Sequence, residues 1–240
     1  MPSHASYHRI LLKLSGEVIT GFQKPQNQES TWFDSMISAI QKAHASGMQI
    51  GIVIGGGNIV RGVSSHTHGF DRIAADQMGM LATVINSLAL QQALEKVHCP
   101  CKILSAIACG TIVETHGWKK ALDYLENGNV VIFAGGTGNP YFSTDTAAVL
   151  RALEIHAEIV LKATKVDGVY DKDPVYKDAK MKEEISYSEF LQKGLKIMDA
   201  TAIALCRQHK LPVLVFNLFT SGSLQNVFSK EKIGTLVSGE

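Results

Sequence analysis

The chain has 240 residues, of which 45% are hydrophobic and 19% are charged, and its formal net charge is +1 at pH 7. This composition is typical of a globular protein and excludes extensive intrinsic disorder. A charge so close to neutral provides no electrostatic reason to expect nucleic acid or an anionic membrane as a partner. We therefore expect neither, and the function has to be inferred from particular sites.

The cysteines and the N-terminus predict a cytoplasmic protein. The N-terminal residues lack the basic-then-apolar pattern of a signal peptide, and no stretch approaches the roughly 20 apolar residues of a membrane span. The sequence His98 to Cys101 offers metal-ligand side chains, but a second ligand pair is missing, so buried thiols are the alternative to a zinc site. The four cysteines form no regular disulfide framework, which favours a reducing compartment: Cys99, Cys101, Cys109 and Cys206.

The first half of the chain alternates apolar runs of strand length with segments of helical periodicity. Thr31 with Asp34 resembles a capping box, and Gly47 lies where a helix-ending glycine is expected. The predicted order is strand 10–14, helix 31–46, strand 50–54, helix 71–95, strand 102–107, helix 118–127 and strand 129–133.

The second half continues the alternation. Thr144 is predicted to cap the next helix, and the polar stretch 163–182, with Gly168 and Pro174, is predicted mainly as loop. The predicted order is helix 144–155, strand 158–162, helix 199–209, strand 213–216 and an edge strand 235–237. This pattern predicts an α/β fold with a mainly parallel central sheet and helices on both faces, in a single domain over residues 1–240.

Three strand ends carry glycine. Gly16 follows Lys13 at the end of the first strand, residues 55–57 follow the second with Asn58 and Arg61 beyond them, and residues 135–138 follow the fourth. Glycine lets backbone N–H groups approach an anion closely, and the ligands of parallel sheets bind beyond the carboxyl ends of the strands. Each run alone is also explained by a tight turn. Together with a lysine inside an apolar strand, they predict a phosphate site.

Other nucleotide and hydrolase motifs are absent. The sequence contains no G-x-x-x-x-G-K-[ST] loop, no G-x-G-x-x-G in a first βα unit and no G-x-S-x-G elbow. These absences argue against a P-loop enzyme, a dinucleotide dehydrogenase and an α/β-hydrolase. If the chain uses ATP, another loop must hold it.

A second charged cluster favours phosphoryl transfer. Lys162 lies at a strand end like Lys13, and Asp145 begins a helix after Ser143 and Thr144. Phosphoryl transfer needs positive charge on the transferred oxygens and little covalent chemistry. We expect Asp145 to hold the two ammonium groups in position. Its simpler interpretation is a first-turn carboxylate stabilised by the helix dipole.

These segments, in this order, resemble the amino acid kinase family and, within it, the bacterial UMP kinases. The run at 55–58 is shared across the broader family, whereas 78–83 and 137–140 are more specific to the UMP kinases. The resemblance covers almost the whole chain through segments 13–17, 53–62, 76–83, 137–145 and 161–170.

The resemblance implies an amino acid kinase-like three-layer αβα sandwich with an approximate acceptor half at 1–157 and a nucleotide half at 158–240. It also implies transfer of the γ-phosphoryl group of ATP to UMP, giving UDP and ADP in pyrimidine nucleotide biosynthesis. Mg²⁺ would be carried by the nucleotide phosphates, with no protein metal site. The implied catalytic residues are Lys13, Lys162, Asp145 and Arg61. The implied ATP-binding residues are Lys13, Leu14, Ser15, Gly16, Gly57, Arg61, Thr164, Tyr170 and Asp173.

For the acceptor, the resemblance implies that Asp76 binds the ribose and that Thr137 and Asn139 recognise the base. Asp199 also matches a family position, without an assigned role. The implied UMP-binding residues are Gly56, Arg61, Asp76, Thr137, Gly138, Asn139, Pro140, Tyr141, Phe142, Ser143 and Thr144.

The resemblance further implies a homohexamer, assembled partly through helix 71–95, and feedback inhibition by UTP. Segment 21–30 departs from the glycine-containing segment that the family associates with GTP activation, so we do not expect that activation. Two alternatives remain open: a family kinase acting on a carboxylate or carbamate, and a non-catalytic nucleotide-binding protein. The combination of Lys13, Lys162 and Asp145 argues against the second. Preference among UMP, dUMP and CMP is left open.

Overall fold

Long strands and helices alternate through most of the chain. The computed structural model describes residues 7–23, 29–60, 69–171 and 179–240. Within them the strands are β1 (Arg9–Leu14), β2 (Gln49–Ile54), β3 (Cys101–Ser105), β4 (Glu114–Thr115), β5 (Val130–Ala134), β6 (Ile159–Thr164), β7 (Val169–Tyr170), β8 (Met181–Lys182), β9 (Glu184–Ile185), β10 (Val213–Asn217) and β11 (Thr235–Val237). The helices are α1 (Glu29–Ala45), α2 (Arg72–Lys96), α3 (Trp118–Glu126), α4 (Thr144–Glu154), α5 (Tyr187–Gln192), α6 (Ala200–His209) and α7 (Ser223–Phe228), with a 3₁₀ helix at Gly16–Gln23.

One large sheet organises the described residues. Its strand order is β4-β3-β5-β2-β1-β6-β10-β11-β9, and every neighbouring pair is parallel except β10 with β11. Strand β1 is central, and its register places Lys13 opposite Val53 on β2 and opposite Lys162 on β6. The carboxyl ends of the parallel strands therefore meet at one edge of the sheet.

Helices cover both faces of this sheet and form two hydrophobic cores. Side chains of a strand alternate between faces, so Ile10, Leu12 and Leu14 enter one core while Leu11 enters the other. The first core includes side chains of α1, α2 and α7, and the second includes side chains of α3, α4, α5 and α6. Because both faces are buried, the strands are continuous apolar runs. The predicted α/β fold with three layers is confirmed.

The structure corrects several local predictions. Helix α1 begins at Glu29, so Thr31 lies inside its first turn and cannot be the predicted cap. Ser143, not Thr144, caps α4, because its Oγ accepts hydrogen bonds from Asp145 N at 2.9 Å and Thr146 N at 3.3 Å. Strand β11 is not an edge, since β9 pairs beyond it.

The elements missed by sequence patterns are short. The stretch predicted mainly as loop contains the β7–β8 hairpin, and β4, β9, α5, α7 and the 3₁₀ helix were not predicted. Hydrophobic periodicity needs a window of about 11–18 residues, which these elements of two to eight residues do not provide.

Helix α2 departs from the expectation that no segment resembles a membrane span. Its 25 residues meet the length and composition of a span, but 44% of its most apolar window is buried inside the protein. It packs against β3 and β5, and its Val84, Leu90 and Leu94 belong to the first core. We therefore interpret α2 as a packed helix of the fold.

Candidate active site

Three charged side chains from three distant parts of the chain meet at the carboxyl end of the sheet. Lys13 on β1 and Lys162 on β6 are neighbours in register, and Asp145 lies in the first turn of α4. Lys13 Nζ lies 2.8 Å from Asp145 Oδ1, and Lys162 Nζ contacts Asp145 Oδ2. Asp145 is 9% exposed and Lys162 is 6% exposed. The Asp145 carboxylate therefore lies between the two lysines, as the sequence analysis expected.

Burial and neighbouring charges oppose one another in this cluster. Burial by itself would raise the pKa of Asp145, but the charges of Lys13 and Lys162 outweigh it and hold the pKa below its ordinary value. Burial lowers the pKa of Lys162, and Lys13 adds to that effect while Asp145 opposes it. Lys13, Lys162 and Asp145 carry a formal charge of +1 among themselves, and the nearby Asp199 carboxylate, which acts to raise the pKa of Lys162, offsets part of it.

Asp199 holds the carboxylate of this cluster in place. Its side chain caps α6 by accepting a hydrogen bond from Ala202 N at 2.8 Å. It also accepts hydrogen bonds from the hydroxyl of Ser143 and, at 3.0 Å, from that of Thr146. The first turn of α4, which carries Asp145, is therefore tied to the N-terminus of α6. The sequence assigned Asp199 no role because the contact joins residues 53 or more positions apart.

A cleft of about 210 Å³ opens beside the two lysines. We call it the lysine cleft. Three of its residues belong to the predicted ATP set, namely Lys13, Ser15 and Thr164, and Lys162 belongs to the predicted catalytic set. The other lining residues were not predicted: Glu17, Val18, Ala163, Lys165, Leu218 and Phe219.

Glu17 and Lys165 form an ion pair across the lysine cleft. Lys165 Nζ lies 2.5 Å from Glu17 Oε2, which connects the 3₁₀ helix to the segment after β6. Neither residue was predicted, because a charged side chain next to a glycine or in a polar loop is common on any protein surface. The cleft thus contains three lysines and one carboxylate, in addition to the buried Asp145 behind it.

The remaining members of the predicted ATP set are distributed differently. Leu14 is buried in the first core, and Gly16 is buried without lining the lysine cleft. Tyr170 lies on β7, where its hydroxyl is 3.4 Å from Asp167 Oδ2. Gly57 lines a different cavity. Arg61 and Asp173 lie outside the described residues.

A second cavity, of about 180 Å³, lies between α2 and the loop after β5. We call it the α2 cavity. Its lining includes Thr144, the residue before Asp145, but none of the three charged residues of the cluster. The lining residues are Gly56, Gly57, Val60, Ala75, Asp76, Gly79, Met80, Thr83, Gly136, Thr137, Asn139, Phe142 and Thr144.

Six residues of the predicted UMP set line the α2 cavity: Gly56, Asp76, Thr137, Asn139, Phe142 and Thr144. Gly138, Pro140, Tyr141 and Ser143 belong to the same loop but are not among the lining residues. The residues contributed by α2, apart from Asp76, were not predicted. Ala75, Gly79, Met80 and Thr83 are small or uncharged residues within a helix, and the sequence pattern does not distinguish them from packing positions.

Asp76 joins α2 to the loop after β5. Its carboxylate accepts hydrogen bonds from Arg72 Nε at 2.9 Å and from Tyr141 N at 2.8 Å. The Arg72 guanidinium also lies 5.4 Å from the centre of the Tyr141 ring. Tyr141 has a φ of 70°, in the region that favours glycine, and these contacts hold it there. Asp76 therefore shapes the wall of the cavity that it lines.

Glycine at the end of β2 is required by packing. A Cβ at Gly56 would lie 2.6 Å from the carbonyl oxygen of Gly79 in α2 and 2.8 Å from Cβ of Ala82. The sequence interpretation attributed this glycine to close approach of an anion. The structure shows that close approach of α2 already excludes a side chain.

Cys99 and Cys101 are free, buried thiols, which was the alternative to a zinc site in this region. Burial raises the pKa of Cys99 to about 11 and, as the largest cause, that of Cys101 to about 12, so both thiols are protonated at neutral pH. Within the part of the chain that the structure describes, no group of three or more His, Cys, Asp or Glu side chains is placed to hold a metal ion.

Comparison with known proteins gives a family assignment. Residues 8–217 match the profile of the Amino acid kinase family. A uridylate kinase of Protochlamydia amoebophila is 51% identical over 232 residues, which cover 95% of this chain and 92% of that protein. A uridylate kinase of Bacteroides thetaiotaomicron is 48% identical over 234 residues, covering 97% of this chain and 99% of that protein. The crystal structure of UMP kinase from Bacillus anthracis superposes with a TM-score of 0.90 at 34% identity, covering 98% of this chain and 97% of that one. The chain therefore belongs to the amino acid kinase family.

Proposed function

We propose that the protein is a UMP kinase that transfers the γ-phosphoryl group of ATP to UMP, giving UDP and ADP for pyrimidine nucleotide biosynthesis. The observation that carries this proposal is the Lys13–Asp145–Lys162 cluster, whose two lysines share one buried carboxylate and line the lysine cleft. Its support from relatives is the match to uridylate kinases over nearly the whole chain.

In the proposed reaction the ATP phosphates occupy the lysine cleft and extend from Ser15 past Gly16 toward Gly57 at the α2 cavity, and these three residues supply backbone N–H groups. The transition state spreads charge over three equatorial oxygens, and preorganised cations stabilise that charge without reorganisation. Lys13 and Lys162 provide the cations. Asp145 fixes their position and reduces the repulsion between them. The acceptor phosphate is already ionised at neutral pH, so the reaction needs no general base.

UMP occupies the α2 cavity and the surrounding loop in this proposal. Asp76 accepts hydrogen bonds from the ribose, Thr137 and Asn139 recognise the base, and Arg61 holds the acceptor phosphate with a planar, two-pronged donor. On the donor side, Thr164, Tyr170 and Asp173 complete the nucleotide site, and the buried Leu14 supports it from the first core. Gly56 holds the acceptor phosphate together with Arg61, and the rest of the loop after β5 encloses the acceptor through Gly138, Pro140, Tyr141, Phe142, Ser143 and Thr144.

The side chains of the lysine cleft fit a nucleotide that brings its own Mg²⁺. The cleft contains Lys13, Lys162 and Lys165 but only one carboxylate, Glu17, which is a poor donor set for a resident divalent cation. Mg²⁺ bound to the nucleotide would neutralise phosphate charge in addition to the lysines. The protein then needs no metal site of its own.

The proposal extends to assembly and regulation. Ile73, Leu81 and Ile85 of α2 are large, exposed apolar side chains, which supports a contact between copies of the chain. We propose a cytoplasmic homohexamer formed partly through α2, with UTP as feedback inhibitor. The segment that bears on GTP activation includes residues 24–28, which lie outside the described part of the chain.

An assay of ADP release with ATP and Mg²⁺ tests the function, with UMP, CMP, dUMP, aspartate, glutamate and carbamate offered separately. We expect turnover largely confined to UMP. Turnover with aspartate, glutamate or carbamate would support the proposed ATP site but show that UMP is not the acceptor. An absence of turnover in protein that binds ATP would favour a non-catalytic nucleotide-binding role.

A further inference from the structure

Two asparagine side chains form a reciprocal amide pair behind the glycine loops. Asn86, in the middle of α2, is 1% exposed. Its Nδ2 donates to Asn58 Oδ1 at 2.7 Å, and its Oδ1 accepts from Asn58 Nδ2 at 3.2 Å. Asn86 Nδ2 also donates to the carbonyl oxygen of Gly55 at 2.7 Å. Both N–H donors of this buried amide are therefore used on the loop that follows β2.

The amide pair also contacts the loop that follows β1. A Cβ at Gly16 would lie 2.3 Å from Asn58 Oδ1, 2.5 Å from the Gly55 carbonyl oxygen and 2.8 Å from Asn86 Nδ2. Gly55 N in turn donates to the carbonyl oxygen of Leu14 at 2.9 Å. The ends of β1 and β2 and the middle of α2 consequently meet at one polar contact, which admits only glycine at position 16.

This contact sets how the two loops face their cavities. Peptide bonds in the described residues are trans, so a Gly55 carbonyl held toward Asn86 directs the Gly56 N–H away from the amide pair. Gly56 lines the α2 cavity, whereas Ser15, adjacent to Gly16, lines the lysine cleft. The amide pair thus contacts the backbone next to Gly56 at the α2 cavity and next to Ser15 at the lysine cleft.

We infer that Asn86 is a positioning residue that acts with Asn58 to fix the separation between the donor-phosphate and acceptor-phosphate loops. The inference rests on the proposed function, in which phosphates bind on both sides of this amide pair. In-line transfer needs reacting atoms about 3–3.5 Å apart, and a displacement of about 1 Å can cost about 100-fold in rate. Neither asparagine touches the transferred group; each acts through the backbone of the loops.

The test compares Asn86→Leu, Asn58→Ala, Asn58→Asp and the double variant Asn58→Ala with Asn86→Leu. Ser87→Ala is the matched control, because Ser87 is equally buried on the same helix but donates only to the Thr83 carbonyl within it. For each variant, kcat and both KM values are measured with ATP and the acceptor that the wild-type chain uses, at a temperature well below that variant's Tm.

We expect Asn86→Leu to lower kcat by about 30-fold while each KM changes by less than about threefold, because misplacement of the reacting groups affects the transition state more than binding. Asn58→Ala should act in the same direction, and the double variant should be no slower than the slower single variant, since both changes break one contact. Asn58→Asp keeps the oxygen that accepts from Asn86 and should be faster than Asn58→Ala. Ser87→Ala should retain wild-type kcat.

The inference is wrong if folded Asn86→Leu has the kcat of Ser87→Ala, or if the KM values rise while kcat is retained. If Asn86→Leu does not fold, Asn58→Ala decides the question by the same criteria, because Asn58 is only partly buried. The proposed function is tested separately by the wild-type acceptor. A wild-type chain that uses another acceptor would refute UMP kinase activity, and the ratio of variant to control would still decide the role of Asn86.

Discussion

Helix α4 carries a cluster of buried or partly buried charged side chains at each end, and the two clusters differ in composition and surroundings. At its N-terminus Asp145 pairs with Lys13 and Lys162. Near its C-terminus Arg151 Nη1 lies 2.7 Å from Glu154 Oε2 and 2.7 Å from His116 Nε2. Burial would raise the pKa of Glu154, but hydrogen bonds from His116 and Arg151 outweigh it and hold the pKa below its ordinary value.

The difference between the clusters is access to a cavity. In the first, two cations contact one carboxylate, and both cations line the lysine cleft. The second has one arginine for one carboxylate when histidine is counted as neutral, and its residues line neither the lysine cleft nor the α2 cavity. Buried charge alone therefore does not indicate a functional site. Buried cations that line a cavity do, because an anionic ligand can bind beside them.

The largest expected effect comes from removing a cation of the first cluster. Lys13→Ala should lower kcat by at least about 100-fold, or about 2.7 kcal/mol of transition-state stabilisation, because it removes a desolvated charge contact. Steady-state kinetics with ATP and UMP measure it. Lys120→Ala, which removes an exposed lysine paired with Glu114, is the control. Near-normal turnover of Lys13→Ala would contradict the assigned role.

The corresponding change in the second cluster should affect stability alone. Arg151→Met leaves Glu154 without its cation and should lower the free energy of unfolding by about 2 kcal/mol, with kcat within about twofold of wild type. We place the cost below that of a fully buried pair because the Glu154 side chain is 33% exposed and can regain water. Denaturant unfolding and the kinetic assay measure the two quantities. A large loss of kcat with intact folding would show that the second cluster also serves the reaction.

A smaller kinetic effect, on the KM for one substrate, distinguishes the acceptor site in the α2 cavity from the donor site in the lysine cleft. Asp76→Ala should raise the KM for UMP about tenfold, because UMP loses one hydrogen bond to a charged group. The KM for ATP should change little. Initial rates at varied concentrations of each substrate measure both constants. If the KM for ATP rises instead, the donor and acceptor sites have been assigned the wrong way round.

The smallest effect is the pH dependence of stability contributed by Glu154. A carboxylate whose folded pKa lies below its unfolded value binds fewer protons in the folded state, so its stabilisation is present above the ordinary pKa of 4.5 and is lost as the pH falls through the folded value. Thermal unfolding of wild type and Glu154→Gln between about pH 3 and pH 7 should therefore converge at the acid end. A difference that is constant across this range would exclude a titrating Glu154.

The sequence predicted the parts of the site that have a local signature. A lysine inside an apolar strand at Lys13, glycines after β1, β2 and β5, and a carboxylate in the first turn of α4 were all recognisable by position. The capping role of Asp199, the Asn58–Asn86 pair and the cluster of His116 with Arg151 were not. Each joins residues 28 or more positions apart, and an asparagine within an apolar helix face or a histidine in a loop has no pattern that predicts its partner.

By itself, the sequence determined the alternation of strands and helices and the parallel character of the sheet, since continuous apolar runs are stable only when both faces are buried. It also determined which residues lie at the carboxyl ends of the strands. Only the tertiary structure decided that β1 pairs with β6, that Lys13 therefore stands beside Lys162, and that Asp145 reaches both. Strand order depends on hydrogen bonds and packing between segments far apart in the chain, and periodicity within a segment carries no information about its neighbour.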